Sequence, residues 1–342
     1  MSLAEVVAVV LFAAVIIYAV FGGADYGSGV WDLTAGSTRR GAPLRRLVDH
    51  AIGPVWEANH VWLIFVLVFL WTGFPAPFAA LMRTLALPFW LAGLGIVFRG
   101  AGFAYRKYSP TLRWARAAGI AFAGASLITP FFLGTIAGSI ASGRVPVDGD
   151  AGIWSPWLNP TSILGGVLAI ITCTFLAGVF LAAEADRLGD TSLAEELRQK
   201  SLIGAVTGGA VVTAGIPVLV SDAPTLVSGL LGKGMPLVLI SGGAGLATIW
   251  LLMNQRLRPA RISAALAVAS VVAGWGVAQY PWLLVDTVEI DNGAGARATL
   301  IGLIAATVVA ALVVVPALAY LLRLADTNAI GPVAGRPDRT SD

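Results

Sequence analysis

Four ionisable side chains lie within or beside long apolar stretches of this sequence. Asp25 follows the first apolar stretch. Glu57 and His60 lie in the second, and Arg99 lies near the end of the third. Ionisable groups at membrane depth are costly, so each is a candidate functional residue. Because a carboxylate can hold and release a proton and an imidazole can pass one on, these residue types indicate a proton path.

The expected depths of these residues agree. If the second apolar helix begins at Asp49 as its N-cap, Glu57 lies about 12 Å along the helix axis. His60 follows one turn later on the same helix face. Asp25 and Arg99 approach the same side of the membrane from the first and third apolar stretches.

Structural roles explain the same residues equally well. Glu57 and Arg99 could form an ion pair between two helices, with Asn59 and His60 making interhelical hydrogen bonds. Asp25 could cap a glycine-rich turn at the membrane surface. The sequence leaves these alternatives open.

The composition is that of a membrane protein. Hydrophobic residues make up 57% of the chain and charged residues only 12%, whereas soluble domains carry about 25% charged residues. Nine apolar stretches have about 20 or more residues, the length that crosses the hydrocarbon core. They cover residues 3–24, 51–73, 80–104, 117–142, 161–183, 201–221, 235–254, 262–284 and 299–322.

The distribution of Lys and Arg predicts the orientation. Of the 22 basic residues, 17 fall in alternate loops and in the C-terminal tail. Since basic loops stay in the cytoplasm, we expect the N-terminus outside and the C-terminus inside. We therefore predict an all-α integral membrane protein of nine transmembrane helices, arranged as two four-helix bundles plus one peripheral helix.

The remaining segments carry smaller predictions. Residues 1–326 should form a single polytopic membrane domain, with residues 3–22 retained as a first helix rather than cleaved as a signal peptide. Residues 327–342 should form a disordered cytoplasmic tail, and residues 184–200 a short charged helix. The single cysteine, Cys173, is expected to be a buried filler, which excludes an internal disulfide.

The number of histidines limits the cofactors that this chain could bind. With only two histidines, His50 and His60, the chain has too few ligands for two membrane haems or a copper site. The basic net charge belongs to cytoplasmic loops and implies no nucleic-acid partner.

We expect six tryptophans to form an aromatic belt at the membrane surfaces: Trp56, Trp62, Trp71, Trp154, Trp157 and Trp282.

Two motifs resemble subunit II of the cytochrome bd-type quinol oxidases, a family that includes the cyanide-insensitive oxidases. They are GADYGSG at 23–29 and IGPVWEANHVWL at 52–63. Weaker similarities span most of the chain: FRGAGFAYR at 98–106, Gly138, Gly143, Val145, Pro146, LNP at 158–160 and Tyr280-Pro281. Some family members have Asp at the position of Glu57 and Gln at that of His60. Ser139 stands where Asn is expected.

The resemblance implies a heterodimer with a haem-bearing subunit I, which carries haem b and haem d. The complex oxidises quinol and reduces O2 to water with protons from the cytoplasm. This subunit would stabilise the assembly and supply a proton path through Glu57, Asp25 and His60, supported by Arg99, Trp56 and Asn59. A small accessory subunit and a structural quinone in this chain are compatible with the resemblance.

Two other functions fit the residues alone. A proton-coupled secondary transporter would show inverted repeats and broken helices that meet at the membrane midplane. In a purely structural membrane scaffold, Glu57 would serve only as an ion-pair partner.

Overall fold

The structure is a computed structural model of the chain. It describes residues 1–37, 39–52, 56–108 and 111–326; within these ranges, the side chains at 56–58, 107–108, 112, 315, 318–319 and 321–326 are not described. The predicted tail at 327–342 lies outside the described residues.

Helices form nearly all of the described chain. In chain order the elements are α1 (Leu3–Thr34), α2 (Ala42–Ile52), α3 (Trp56–Gly73), α4 (Pro75–Thr84), α5 (Ala86–Tyr108), α6 (Leu112–Ala141), α7 (Pro160–Arg187), α8 (Thr191–Asp222), α9 (Pro224–Leu231), α10 (Met235–Met253), α11 (Leu257–Gln279), β1 (Trp282–Leu284), β2 (Val288–Glu289) and α12 (Arg297–Asp326). The two short strands pair in an antiparallel hairpin. The all-α prediction is confirmed.

Each predicted span corresponds to one helix or one bent helix pair. Eight helices of the described chain are long and apolar enough to cross a membrane alone. The second predicted span makes a ninth only if α3 and α4, which are bent by 118° relative to each other, count as one span.

Polar side chains begin four of the long helices by accepting a hydrogen bond from the first turn, as N-caps do. They are Ser2 for α1, Thr111 for α6, Asn159 for α7 and Asp190 for α8. At α7, Pro160 occupies the first helical position, where the missing N–H costs nothing.

The chain contains a structural repeat that the sequence did not reveal. After α3, Phe74 leaves the helical conformation (φ −137°, ψ 64°), and Pro75 begins a short helix before α5. After α8, Ala223 adopts nearly the same conformation (φ −139°, ψ 57°), and Pro224 begins the short helix before α10. Each half is thus four spans whose second span ends in the same corner.

The packing follows this repeat. One half consists of α1, α3, α5 and α6, and the other of α7, α8, α10 and α11. The central helix α1 also packs on α7 and α11 and so joins the halves. Helix α12 contacts α1 and α3 and is otherwise exposed. This agrees with the predicted two bundles and peripheral helix.

Two predictions near the cytoplasmic side are wrong. Asp25 does not cap a turn, because α1 continues through the glycine-rich segment to Thr34. Asp49 is not an N-cap, because it lies inside α2. This helix is amphipathic: charged Arg45 and Arg46 are set against a buried apolar stripe formed by Leu44, Leu47, Val48 and Ile52.

Two other boundaries also differ. Residues 184–200 are not a separate helix, since they form the end of α7, a turn at Gly189 (φ +82°) and the start of α8. The eighth span ends at Gln279 rather than 284, and residues 282–284 form β1.

Glycines in α1 contact neighbouring helices. A Cβ added at Gly27 would overlap the backbone carbonyl of Cys173 in α7. Small residues let membrane helices approach this closely, which explains why the glycine-rich segment is helical. Cys173 is buried, as predicted.

Candidate functional site: a buried ion pair between α1 and α5

The central feature of the site is an ion pair between Asp25 of α1 and Arg99 of α5. Arg99 Nη2 lies 2.7 Å from Asp25 Oδ1, and Nη1 lies 3.2 Å from Oδ2. Nη2 also donates to the Asp25 backbone carbonyl at 2.9 Å, and Nε donates to Ser126 Oγ of α6 at 3.1 Å. Only 3% of Asp25 and 1% of Arg99 is exposed. Both carboxylate oxygens accept from the guanidinium, the arrangement of an ionised pair.

Aromatic rings surround the guanidinium. Arg99 Cζ lies 4.8 Å from the centre of the Tyr26 ring and 4.9 Å from that of Phe122. Such cation–π contacts strengthen when water is excluded. The Tyr18 hydroxyl donates to the Tyr26 hydroxyl at 3.1 Å.

Helix α3 places two of the predicted residues beside the pair. The His60 ring meets the Tyr26 ring edge-on at a centroid distance of 6.2 Å. Asn59 is buried, and its amide nitrogen lies 3.5 Å from the Phe21 carbonyl of α1, at the limit of a hydrogen bond. Both residues thus contact α1, His60 through its ring and Asn59 at the limit of a hydrogen bond.

The predicted pairing of Arg99 must be corrected in part. The structure pairs Arg99 with Asp25, whereas the sequence suggested Glu57. Glu57 and Trp56 lie in the first turn of α3, but their side chains are outside the described part of the structure.

A second ion-pair cluster lies on the cytoplasmic side, and the sequence analysis missed it. Asp32 of α1 accepts from Arg45 of α2 at 2.8 Å and from Arg106 of α5. Arg106 also pairs with Asp49 of α2. The exposed fraction of the side chain falls from 52% at Asp49 to 15% at Arg106 and 4% at Asp32.

The Asp25–Arg99 and Asp32–Arg106 pairs form a ladder between α1 and α5 with the same spacing on both helices. Asp25 and Asp32 are seven residues apart in α1, and Arg99 and Arg106 are seven apart in α5. Two helical turns separate the pairs by about 10.5 Å. Because the order is the same on both helices, α1 and α5 run in the same direction, in agreement with the predicted orientation.

An apolar cavity of about 390 Å³ lies between the helices, mostly on the side of the ion pair toward the N-terminus of α1. Tyr18, Tyr26 and Cys173 line one part, and Trp275 and Gln279 line another. Trp275 Nε1 and Gln279 Oε1 are buried and have no hydrogen-bond partner within the described structure.

The predicted aromatic belt is only partly correct. Trp71 and Trp154 are exposed, as a belt requires. Trp157 is buried and donates to the Ile153 carbonyl. Among the described residues, no group of three or more His, Cys, Asp or Glu side chains is placed to hold a metal ion.

Known proteins identify this arrangement. Residues 3–325 match the family described as cytochrome bd terminal oxidase subunit II. The chain belongs to this family. As a subunit II protein with many membrane-spanning helices, it is a multi-pass protein of the bacterial cytoplasmic membrane.

Individual relatives agree with the subunit II family. The chain is 33% identical over 132 residues to cytochrome bd ubiquinol oxidase subunit 2 of Bacillus subtilis, covering 38% of this chain and 39% of that protein. It is 29% identical over 160 residues to cytochrome bd-I ubiquinol oxidase subunit 2 of Escherichia coli, covering 45% and 41%. These alignments thus span about two fifths of each relative.

A solved structure extends the similarity over the whole subunit. A chain of the bd oxidase from Geobacillus thermodenitrificans superimposes with a TM-score of 0.78 and 25% identity, covering 95% of this chain and 98% of that one. The helical arrangement described above is therefore that of a bd oxidase chain.

Removing one partner of the buried ion pair should destabilise the protein. Asp25→Asn leaves the guanidinium of Arg99 buried without a counter-charge, which costs about 3–5 kcal/mol. Adding Arg99→Met removes that charge and should restore most of the loss. The measurement is thermal unfolding of the purified protein, with Asp148→Asn in an outer loop as the control. If the double variant is as unstable as Asp25→Asn, the pair does not act as described.

Proposed function

We propose that this chain is subunit II of a cytochrome bd-type quinol oxidase and that this subunit itself carries no haem. The complex oxidises quinol and reduces O2 to water, and its haem b and haem d belong to subunit I. The observation that carries the proposal is the family match over residues 3–325. The similarity of fold to a bd oxidase chain supports it. With two histidines in its sequence, this chain is better suited to support haem in a partner than to bind several haems.

The transporter alternative fits the fold less well. Its expected halves are inverted, but here both halves begin with a span that enters from the outer side, since three spans lie between α1 and α7. The buried ion pair also lies toward the cytoplasmic end of α1 rather than at its middle. These features favour the oxidase proposal.

Purification with partner chains tests the oxidase proposal. Material purified through this chain in mild detergent should contain a second membrane chain and give haem b and haem d bands in a reduced-minus-oxidised visible spectrum. A colourless, stable preparation without a partner would contradict the proposal. A small accessory subunit would appear as a third chain in the same material.

Within the complex, this subunit would supply part of the proton path from the cytoplasm. We assign the proton-carrying role first to Glu57. His60 lies one turn further along α3 and contacts the ring of Tyr26, the residue that follows Asp25 in α1. Both carboxylate oxygens of Asp25 accept from Arg99. We therefore assign Asp25 the role of holding the Arg99 guanidinium in place beside the proton path. Trp56 and Asn59 would support α3 from either side of Glu57.

Neutralising Glu57 should slow turnover and spare assembly. In Glu57→Gln the side chain keeps its size but can no longer exchange a proton, so quinol-driven oxygen consumption should fall by about 10²-fold or more. Glu57→Asp should retain much of the activity.

Glu196→Gln is the matched control, because this glutamate is exposed and pairs with Lys200 at the cytoplasmic surface. Equal activity of Glu57→Gln and wild type, at equal haem content, would reject the proton role.

The cavity is suited to a structural quinone. Its volume of about 390 Å³ and apolar walls fit a ring with part of an isoprenoid tail. The Trp275 Nε1–H can donate to a quinone oxygen, and Gln279 Oε1 can accept from a quinol hydroxyl. These two buried atoms otherwise lack partners among the described residues, and leaving such groups unpaired is unfavourable.

Loss of these polar groups should release the quinone. Trp275→Phe and Gln279→Leu remove the donor and the acceptor, so the quinone extracted per complex should fall several-fold. Trp154→Phe, at an exposed tryptophan, is the control. The readout is chromatography of the lipid extract, and an unchanged quinone content in both variants would place the molecule elsewhere.

A further inference from the structure

A glycine lies between the two charges on each helix of the ladder. In α1, Gly29 separates Asp25 from Asp32, and in α5, Gly102 separates Arg99 from Arg106. Both glycines follow helical spacing of three or four residues, so each lies on the same face as its neighbouring charges. The facing helices therefore leave a space between the two ion pairs.

Phe122 of α6 occupies this space. A Cβ added at Gly102 would lie 2.7 Å from the Phe122 backbone nitrogen, and one added at Gly29 would lie 3.4 Å from Phe122 Cε1. The same Cβ at Gly29 would overlap Ser126, the residue that binds Arg99 Nε. Any side chain at either glycine would thus push α6 away from the ladder.

The Phe122 ring touches the charges of both ion pairs. Its centre lies 4.9 Å from Arg99 Cζ and 5.1 Å from Arg106 Cζ. Both guanidinium groups are thus within cation–π distance of the same ring. Phe122 is fully buried, whereas Arg106 is 15% exposed. Of the two arginines that contact this ring, Arg106 is therefore the more exposed, since only 1% of Arg99 is exposed.

We propose that Phe122 is a positioning residue that separates the two ion pairs and keeps cytoplasmic water away from Asp25 and Arg99. An apolar ring in contact with two guanidinium groups attracts both by cation–π interaction and fills space that water could otherwise occupy. Without water the pair at Asp25 stays in a low dielectric, where its attraction is strongest.

This barrier has a consequence for proton uptake, which rests on the proposed function. Protons that reach Asp32 from the cytoplasm cannot pass to Asp25 along a water chain. Proton uptake then depends on the path assigned above to Glu57 and His60 of α3. Phe122 thus directs the path without touching the transferred proton.

Hydrogen–deuterium exchange of the assembled complex tests the barrier. Leu and Gln are similar in size, so Phe122→Leu keeps an apolar plug and Phe122→Gln replaces it with a polar one. Peptides covering residues 22–32 of α1 should exchange about tenfold faster in Phe122→Gln and Phe122→Ala, and about as in wild type in Phe122→Leu. Peptides covering residues 3–14 of the same helix should not change.

Phe132→Leu is the matched control, because this phenylalanine of α6 packs against Trp157, away from the ladder. Unchanged exchange in Phe122→Gln and Phe122→Ala would overturn the proposal, as would equal increases in the Leu and Gln variants. The exchange does not depend on turnover. Faster exchange with wild-type oxygen consumption at every pH would uphold the barrier and reject its role in directing protons toward Glu57 and His60.

Discussion

A buried guanidinium needs a counter-charge and a partner for each donor, and this requirement governs the packing around α1. Arg99 finds both carboxylate oxygens and the carbonyl of Asp25, the hydroxyl of Ser126 and the faces of two aromatic rings. Since a buried ion pair rarely stabilises a fold more than apolar residues would, its value is specificity. It fixes the rotation and depth of α1 and α5 relative to each other, and therefore where α3 presents Glu57 and His60.

The glycines follow from the same constraint. The long Arg99 side chain reaches Asp25 without close contact between the backbones of α5 and α1, whereas Ser126 can accept from the guanidinium because α6 packs closely on both helices. Gly29 and Gly102 permit this approach to α6, while Gly27 permits it to α7. The segment that looks like a flexible turn in the sequence is a packing surface, because the conformational cost of its glycines is offset by contacts with α6 and α7.

The sequence predicted the parts of the structure that depend on composition and charge. Apolar length and basic loops set the spans and their direction, and the cost of buried charge selected Asp25, His60 and Arg99 as neighbours. It did not predict the partner of Arg99, because depth along a helix does not specify which face a residue occupies. The Asp32–Arg106 pair was missed because each residue looked like an ordinary loop charge. Its signal was the shared seven-residue spacing. The corner repeat at Phe74 and Ala223 was hidden, since backbone angles leave little trace in residue type.

We assign proton exchange to Glu57 and a fixed ion pair with Arg99 to Asp25. Infrared difference spectroscopy of the assembled oxidase tests this assignment most directly. The reduced-minus-oxidised spectrum should contain a protonated-carboxyl band that disappears in Glu57→Gln and shifts when glutamate, but not aspartate, carries ¹³C. This result would show that Glu57 exchanges the proton while Asp25 stays bound to Arg99. A band that persists in Glu57→Gln and shifts with ¹³C-aspartate would contradict the account.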